Sequence, residues 1–314
     1  MMQPTSPDGS ERRKRVVASR APAVGEVFAV AALWASSFIA VRVILAHTGP
    51  LTVAALRYSM AAVLLLPWIR RRPRATAGPR WWLAWRLALI GISQYTVANA
   101  ALFLALTMVT PATASLALSL TPIAVWILEA TLLGDPPSRG QVAGSVVAVV
   151  ACAVFFAGGA TRMPVGALGL LAVATIGFAV LPILGRQIAR RRVVGTVTLT
   201  AVPLAIGGGV LIPIAGIAEG IPHLPLWGWG IIVGLAVANT LAGYLLFNHA
   251  LRRLRATEAN IILNLIPLGT ALIAWGALGD RLTPLQMAAM AVAICGVTLA
   301  QRRTVRRGPR APTG

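Results

Sequence analysis

The feature that most restricts how this chain can fold is a stretch that occurs twice. Residues 105–141 read ALTMVTPATASLALSLTPIAVWILEATLLGDPPSRGQ, and residues 250–286, 145 positions later, read ALRRLRATEANIILNLIPLGTALIAWGALGDRLTPLQ. Ten of the 37 ungapped pairs are identical. They include a starting Ala-Leu, a proline inside an apolar run (Pro122, Pro267), a Leu-Gly-Asp turn and a closing glutamine (Gln141, Gln286). Two apolar helices share Leu and Ala by chance. A proline, a Gly-Asp and a glutamine held in one register point instead to an internal duplication, which has to be placed before its parts are read.

The runs carrying the repeat are about 20 residues long, the length of helix that crosses a bilayer. Charged residues make up 11% of the chain and apolar ones 57%, with mean hydropathy +0.79. A soluble domain carries about 25% charged residues, so there is too little polar surface here to cover a large soluble core. The expected fold class is an all-α integral membrane protein with ten spans. The first half supplies 24–46, 52–69, 83–106, 111–131 and 139–158; the second supplies 166–185, 195–217, 227–251, 256–277 and 284–301. Turn signals at 48–50, 134–140, 158–166 and 219–225 separate several of them. Residues 1–20 read as a disordered basic tail, 21–160 as the first repeat, 161–303 as the second and 304–314 as a second basic tail. The apolar run from Val24 to Ala46 is too long for the core of a signal peptide and lacks a small-residue cleavage site. Cys152 and Cys295 lie within spans at positions that the repeat does not relate, so no structural disulfide is expected.

A net charge of +20 invites a nucleic-acid reading, but its placement argues otherwise. With the N-terminus inside, 23 of the 28 basic residues fall in cytoplasmic segments, and the outer loops hold only Arg162 and Arg281. Arg42, Arg57 and Arg86 lie in spans or at their ends. This bias is the positive-inside rule. It puts both termini in the cytoplasm and accounts for the charge with no nucleic-acid partner. Trp81, Trp82 and Trp85 at a cytoplasmic helix start, and Trp227 and Trp229 at an outer one, suit headgroup anchors.

Five spans per repeat is an odd number, so the second repeat enters the membrane upside down relative to the first. Inverted repeats are an architecture of secondary transporters, with the substrate site near the midplane between them. At about 1.5 Å per residue, positions ten to twelve residues into a span lie near that plane. Gln94 pairs with Asn239 there, and Asn99 with Tyr244, each by the 145-residue offset. Ser115 and Ser119 in span four correspond to Asn260 and Asn264 in span nine. These residues serve either as interhelical hydrogen bonds or as the lining of a polar path; their symmetric depth favours the path. Pro122 and Pro267 are read as shaping the helices.

Ionisable groups within spans are few. Arg42 and Arg57 are expected near the outer surface, where they could draw a carboxylate-bearing substrate or snorkel. Glu129 and Glu258 lie toward cytoplasmic span ends, and Glu26 begins the first span. His249, beside Asn248, is the histidine that falls within a span and the candidate for proton coupling. Gly140 with Gly144, and Gly230 with Gly234, have GxxxG spacing. Such spacing permits close approach within one molecule or between two copies in a homodimer.

These residues resemble the EamA family of the drug/metabolite transporter superfamily. The matching features begin with WASSF from Trp34 to Phe38, Arg57 after Ala55-Leu56, Ala105-Leu106 and Ala114-Ser115-Leu116. They continue with Pro122, Leu133-Gly134-Asp135, Gln141, Ala250-Leu251, Pro267 and LGDRLTPLQ from Leu278 to Gln286. The resemblance spans about 24–303. The family usually carries Glu where both turns here carry Asp, in a loop. The span-six counterpart of WASSF, GFAVL from Gly177 to Leu181, matches poorly, so the two sides of the cavity are expected to differ. The resemblance implies ten helices in two EamA repeats and a central cavity lined by spans other than five and ten, Trp34 among its lining. It also implies movement of small metabolites, amino acids or drugs across a bacterial inner membrane.

The functional expectation is therefore a secondary carrier for a small solute, an exporter, working by alternating access without a cofactor or metal. A lipid flippase on the same scaffold is the alternative. No HExxH, GxSxG or GxxxxGK[ST] pattern occurs, which speaks against hydrolytic chemistry and ATP as the energy source.

Overall fold

The computed structural model describes residues 9–69, 80–133, 138–158, 163–190, 194–250, 254, 259 and 262–301, and no strand occurs among them. Eight helical stretches in this set are long and apolar enough to cross a membrane. They are Ala21–Ile44, Pro50–Pro67, Trp81–Met108, Pro111–Leu128, Arg139–Ala157, Val165–Gly185, Val197–Glu219 and Leu226–Phe247. These fall on the first eight spans read from sequence. Over the last two, the described apolar helices are shorter, Ile266–Leu278 and Pro284–Ala300. The chain is a multi-pass helical membrane protein.

The first helix, α1 (Gly9–Ile44), starts earlier than the sequence suggested. It takes in residues 9–20, because the segment from Glu11 to Arg15 is made of good helix formers and no proline occurs between Gly9 and Pro22. After it come α2 (Pro50–Ile69), α3 (Arg80–Ile90), a π-helical segment π1 (Gly91–Ala98) and α4 (Asn99–Met108). Then follow α5 (Pro111–Leu118), α6 (Thr121–Leu133), α7 (Arg139–Ala157), α8 (Val165–Arg190) and α9 (Thr196–Glu219). The second half continues with α10 (Leu226–Gly234), a second π segment π2 (Leu235–Ala242), α11 (Gly243–Ala250), α12 (Ile266–Leu278) and α13 (Pro284–Gln301).

The shared residues of the duplicated stretch have local jobs. Gln141 is the third residue of α7, and its side chain accepts from the N–H of Ser138 while Ser138 Oγ accepts from the Gln141 N–H. Gln286 and Thr283 repeat this reciprocal cap at the start of α13, at 3.0 and 3.2 Å. Each satisfies N–H groups that the first helical turn leaves unpaired. Gly279 of the second Leu-Gly-Asp ends α12 in the left-handed region (φ 72°), which a residue without a β-carbon enters freely. The first copy of that turn, from Gly134, lies outside the described residues. Pro122 and Pro267 each sit second in a new helix, α6 and α12, where a missing N–H costs nothing. The chain breaks just before them, at Ser119–Leu120 and at Asn264–Leu265. Those two breaks are 145 residues apart, matching the repeat.

Two helix pairs join the halves, each made of repeat-equivalent helices. Glu219 at the end of α9 accepts from the N–H groups of Leu51 and Thr52 at the start of α2, at 2.9 and 2.8 Å. Further along, Ser59 lies against Gly208. The two helices are therefore antiparallel. Gly144 packs on the backbone of Ala300, and Ala148 on that of Gly296, so α7 and α13 are antiparallel as well. Gly140, Gly230 and Gly234 face open space, so of the GxxxG residues only Gly144 makes a close helix contact. Cys152 is buried, Cys295 is exposed, and both are free.

Candidate functional site

The long central crossings of each half are not regular α-helices. Eight residues of π1 and eight of π2 have widened turns, beginning at Gly91 and Leu235, 144 residues apart. A π turn bonds i to i+5, is rare and, where it occurs, is frequently at a functional site. Side chains serve these turns too. Asn99 Nδ2 donates to Gln94 O at 2.6 Å, and Thr240 Oγ1 donates to Leu235 O at 3.0 Å, both five residues back. Each π segment also bonds to the other half. Thr96 Oγ1 donates to Gly207 O of α9 at 3.1 Å, and Thr240 Oγ1 accepts from Arg57 Nε of α2 at 2.8 Å. Thr96 and Thr240 are both sixth in their segments.

Around these turns a buried polar cluster forms. Gln94 Nε2 donates to Tyr244 OH at 3.1 Å, which ties π1 to α11. Tyr58 OH donates to Asn99 Oδ1 at 2.5 Å. Asn239 donates to Leu33 O and, at 3.3 Å, to Ser36 Oγ, while its own carbonyl accepts from Trp34 Nε1 at 3.1 Å. The Trp34 ring lies 5.5 Å from Tyr244 and 5.6 Å from Phe247. All three tyrosines of the chain meet here, with centroids 5.3 Å apart for Tyr58–Tyr95 and 6.3 Å for Tyr95–Tyr244.

Of the residues expected to line a path, Trp34, Gln94, Asn99, Asn239 and Tyr244 are brought together. Ser115 and Ser119 return their hydroxyls to Ala112 O and Leu116 O of their own turn, at 3.0 and 2.7 Å. Asn264 is buried and donates to Thr298 Oγ1 of α13 at 3.3 Å. The side chain of Asn248, and Asn260 altogether, lie outside the described residues, as do the side chains of Glu129 and Glu258. His249 is 47% exposed and sits 2.9 Å from Glu26 of α1, at the end where the polar part of α1 lies.

The arginines separate. Arg42 is exposed and donates to Leu106 O at 2.5 Å. It lines a cavity of about 290 Å³ with Ala46, Thr110, Leu278 and Asp280. Arg57 corrects the reading from sequence: it does not reach a surface but is 7% exposed, inside the bundle, with its guanidinium carbon 5.3 Å from the Tyr58 ring centroid. Tyr58, Tyr95 and Thr240, unlike Arg57, were not singled out from sequence. That all three tyrosines of so long a chain fall within spans was the available signal.

The sequence profile of the EamA-like transporter family, as its name is given, matches residues 23–157 and again 165–301. A protein of Streptantibioticus cattleyicolor named "Probable terminal-alkyne amino-acid exporter" is 30% identical over 89% of this chain and 93% of its own. "Uncharacterized transporter YyaM" of Bacillus subtilis is 25% identical over 68% of this chain and 71% of its own length. A solved crystal structure covering 90% of this chain and 96% of its own superposes with TM-score 0.64 at 19% identity, a likeness of fold. With two copies of the family's repeat over nearly its whole length, the chain belongs to the EamA-like transporter family.

Proposed function

We propose that this protein is a secondary-active carrier that moves a small, amino-acid-like or drug-like solute across a bacterial inner membrane by alternating access, in the direction of export. The observation that carries the proposal is the pairing of irregular backbone. The breaks at Ser119–Leu120 and Asn264–Leu265 recur 145 residues apart, and the segments π1 and π2, starting 144 apart, flank one buried polar cluster. Broken helices at matched places in two halves are how such carriers build a midplane site that opens to either side. The antiparallel course of α2 with α9, and of α7 with α13, supports an inverted arrangement of residues 21–160 and 161–303 as ten spans. The basic bias supports cytoplasmic termini. The name of the Streptantibioticus relative favours an amino-acid-like cargo and export.

In this reading Trp34, Gln94, Asn99, Asn239 and Tyr244 form the substrate path. Ser115, Ser119, Asn248, Asn260 and Asn264 extend it toward the two faces. The chain acts as a carrier and not as an enzyme, with no cofactor. The test is transport by the purified protein in liposomes under an imposed pH gradient, using labelled amino acids and cationic drugs. Transport of one class, with Gln94→Ala reducing it about tenfold or more, is the expected result. Loss of the gradient's effect in His249→Ala alone assigns coupling to that histidine; an unchanged gradient response removes it. Labelled lipid crossing between leaflets, with no soluble solute moving, would establish the flippase instead.

A further inference from the structure

Arg57 presents a difficulty that its contacts do not resolve. A guanidinium keeps its charge at any accessible pH. Within a membrane-spanning bundle such a charge needs an anion or a full set of acceptors. Among the described residues, the contact between a basic side chain and a carboxylate is that of His249 with Glu26. Glu219 is occupied at the start of α2, and Asp280 lines the cavity beside Arg42. Arg57 has Thr240 Oγ1 on Nε and the Tyr58 ring beside it. Its two terminal nitrogens have no protein acceptor among the described residues. The fork that matches a carboxylate is the part left over.

The position fits a ligand site. Arg57 is seven residues past Pro50, about 10 Å along α2. Thr240, which orients it, belongs to π2, and Tyr58 bonds to Asn99 directly after π1. The cation therefore lies between the two irregular turns, where a solute would be held while either side opens.

We propose that Arg57 binds the carboxylate of the transported solute, so that the cargo is a small organic acid or an amino acid. This rests on the carrier reading above. The carboxylate completes the fork and cancels the buried charge, and the Thr240 bond passes that event to π2. A cationic or uncharged cargo leaves Arg57 uncompensated in the loaded state.

The test uses the full chain in liposomes, with labelled leucine, phenylalanine and butyrate, each against its amide, and tetraphenylphosphonium as a cation lacking any carboxylate. The expected result is transport of at least one acid, with its amide about tenfold poorer or worse. Arg57→Gln should raise KM for the acid roughly 30-fold or more, the usual consequence of removing one partner of a buried charge pair, and should bring acid and amide level. Arg57→Lys, a point charge in place of a fork, should fall between. Arg139→Gln, exposed at the start of α7, should match the wild type. If Arg57→Gln does not fold, the melting temperature of the wild type with acid against amide decides, stabilisation by the acid alone being expected. Equal transport of acid and amide, or an acid preference kept by Arg57→Gln, would overturn the assignment. Transport of tetraphenylphosphonium with no acid would overturn it while leaving the carrier intact. No solute moving at all would sink the carrier reading and this one with it.

Discussion

Along α7 and α13 the halves meet through Gly144, Ala148, Ala151, Ala293, Gly296 and Ala300, small residues that bring the two backbones into contact. Along α2 and α9 an antiparallel pairing of the same kind holds a carboxylate on a helix N-terminus, a hydroxyl (Ser59 Oγ) with no hydrogen-bond partner among the described residues, and Arg57 facing π2. The first pair is held by the shape of small residues. A packing that close cannot shear without backbone collisions, because interiors are already near maximal density. The second pair also packs closely, Ser59 N lying 2.7 Å from where a β-carbon at Gly208 would be, but it carries in addition polar groups that can change partners. Duplication supplied both interfaces with one geometry; the side chains decided that one is built of small residues and that the other carries polar groups of the candidate site.

Gly144 carries the largest expected effect on the α7–α13 interface. A β-carbon there would lie 2.4 Å from Ala300 N and 2.7 Å from Gly296 O, atoms that cannot give way singly. Gly144→Leu should lower stability by about 3 kcal/mol or more, read as a lower melting temperature and a poor yield of monodisperse protein in detergent. A variant that melts normally but no longer transports would put α7 in the moving machinery and end the division into scaffold and site.

Thr240→Val should act on the other side of the division and less severely. It keeps the shape but takes the acceptor from Arg57 Nε, a buried group, at a cost of about 1–3 kcal/mol. KM for the cargo should rise more than the melting temperature falls. Thr96→Val is the matched control in π1, since the Gly207 carbonyl that loses its bond is neutral. If both variants behave alike, Arg57 is not what distinguishes the halves.

Glu219→Gln should have the smallest effect. The amide oxygen still accepts from one N–H at the start of α2, but the negative charge at the helix N-terminus is gone, a loss of about 0.3–1 kcal/mol. A slight lowering of the melting temperature, reduced further by salt, is expected. A large change in transport rate with the same melting temperature would make the Glu219 contact a gate and sharpen the contrast with α7 and α13.

The sequence determines most where the physics is local. Span length against bilayer thickness and the prolines at 122 and 267 depend on residues within a turn or two of one another; the Ser138–Gln141 and Thr283–Gln286 caps are as local, but from sequence the closing glutamines marked only the repeat. So the helical membrane fold and the duplication were determined by sequence alone, while the prolines marked shaped helices without showing that each helix ends before them. Which polar side chains meet was not. In a bilayer both the packed and the lipid-facing sides of a helix are apolar, so hydrophobic periodicity does not say which face turns inward. The repeat offset paired Gln94 with Asn239, yet Gln94 bonds Tyr244, and Asn239 turns to α1. Arg57, seven residues from a helix end, looked near enough to the surface to snorkel. Only the approach of Thr240, 183 residues away in sequence, placed its charge inside the bundle.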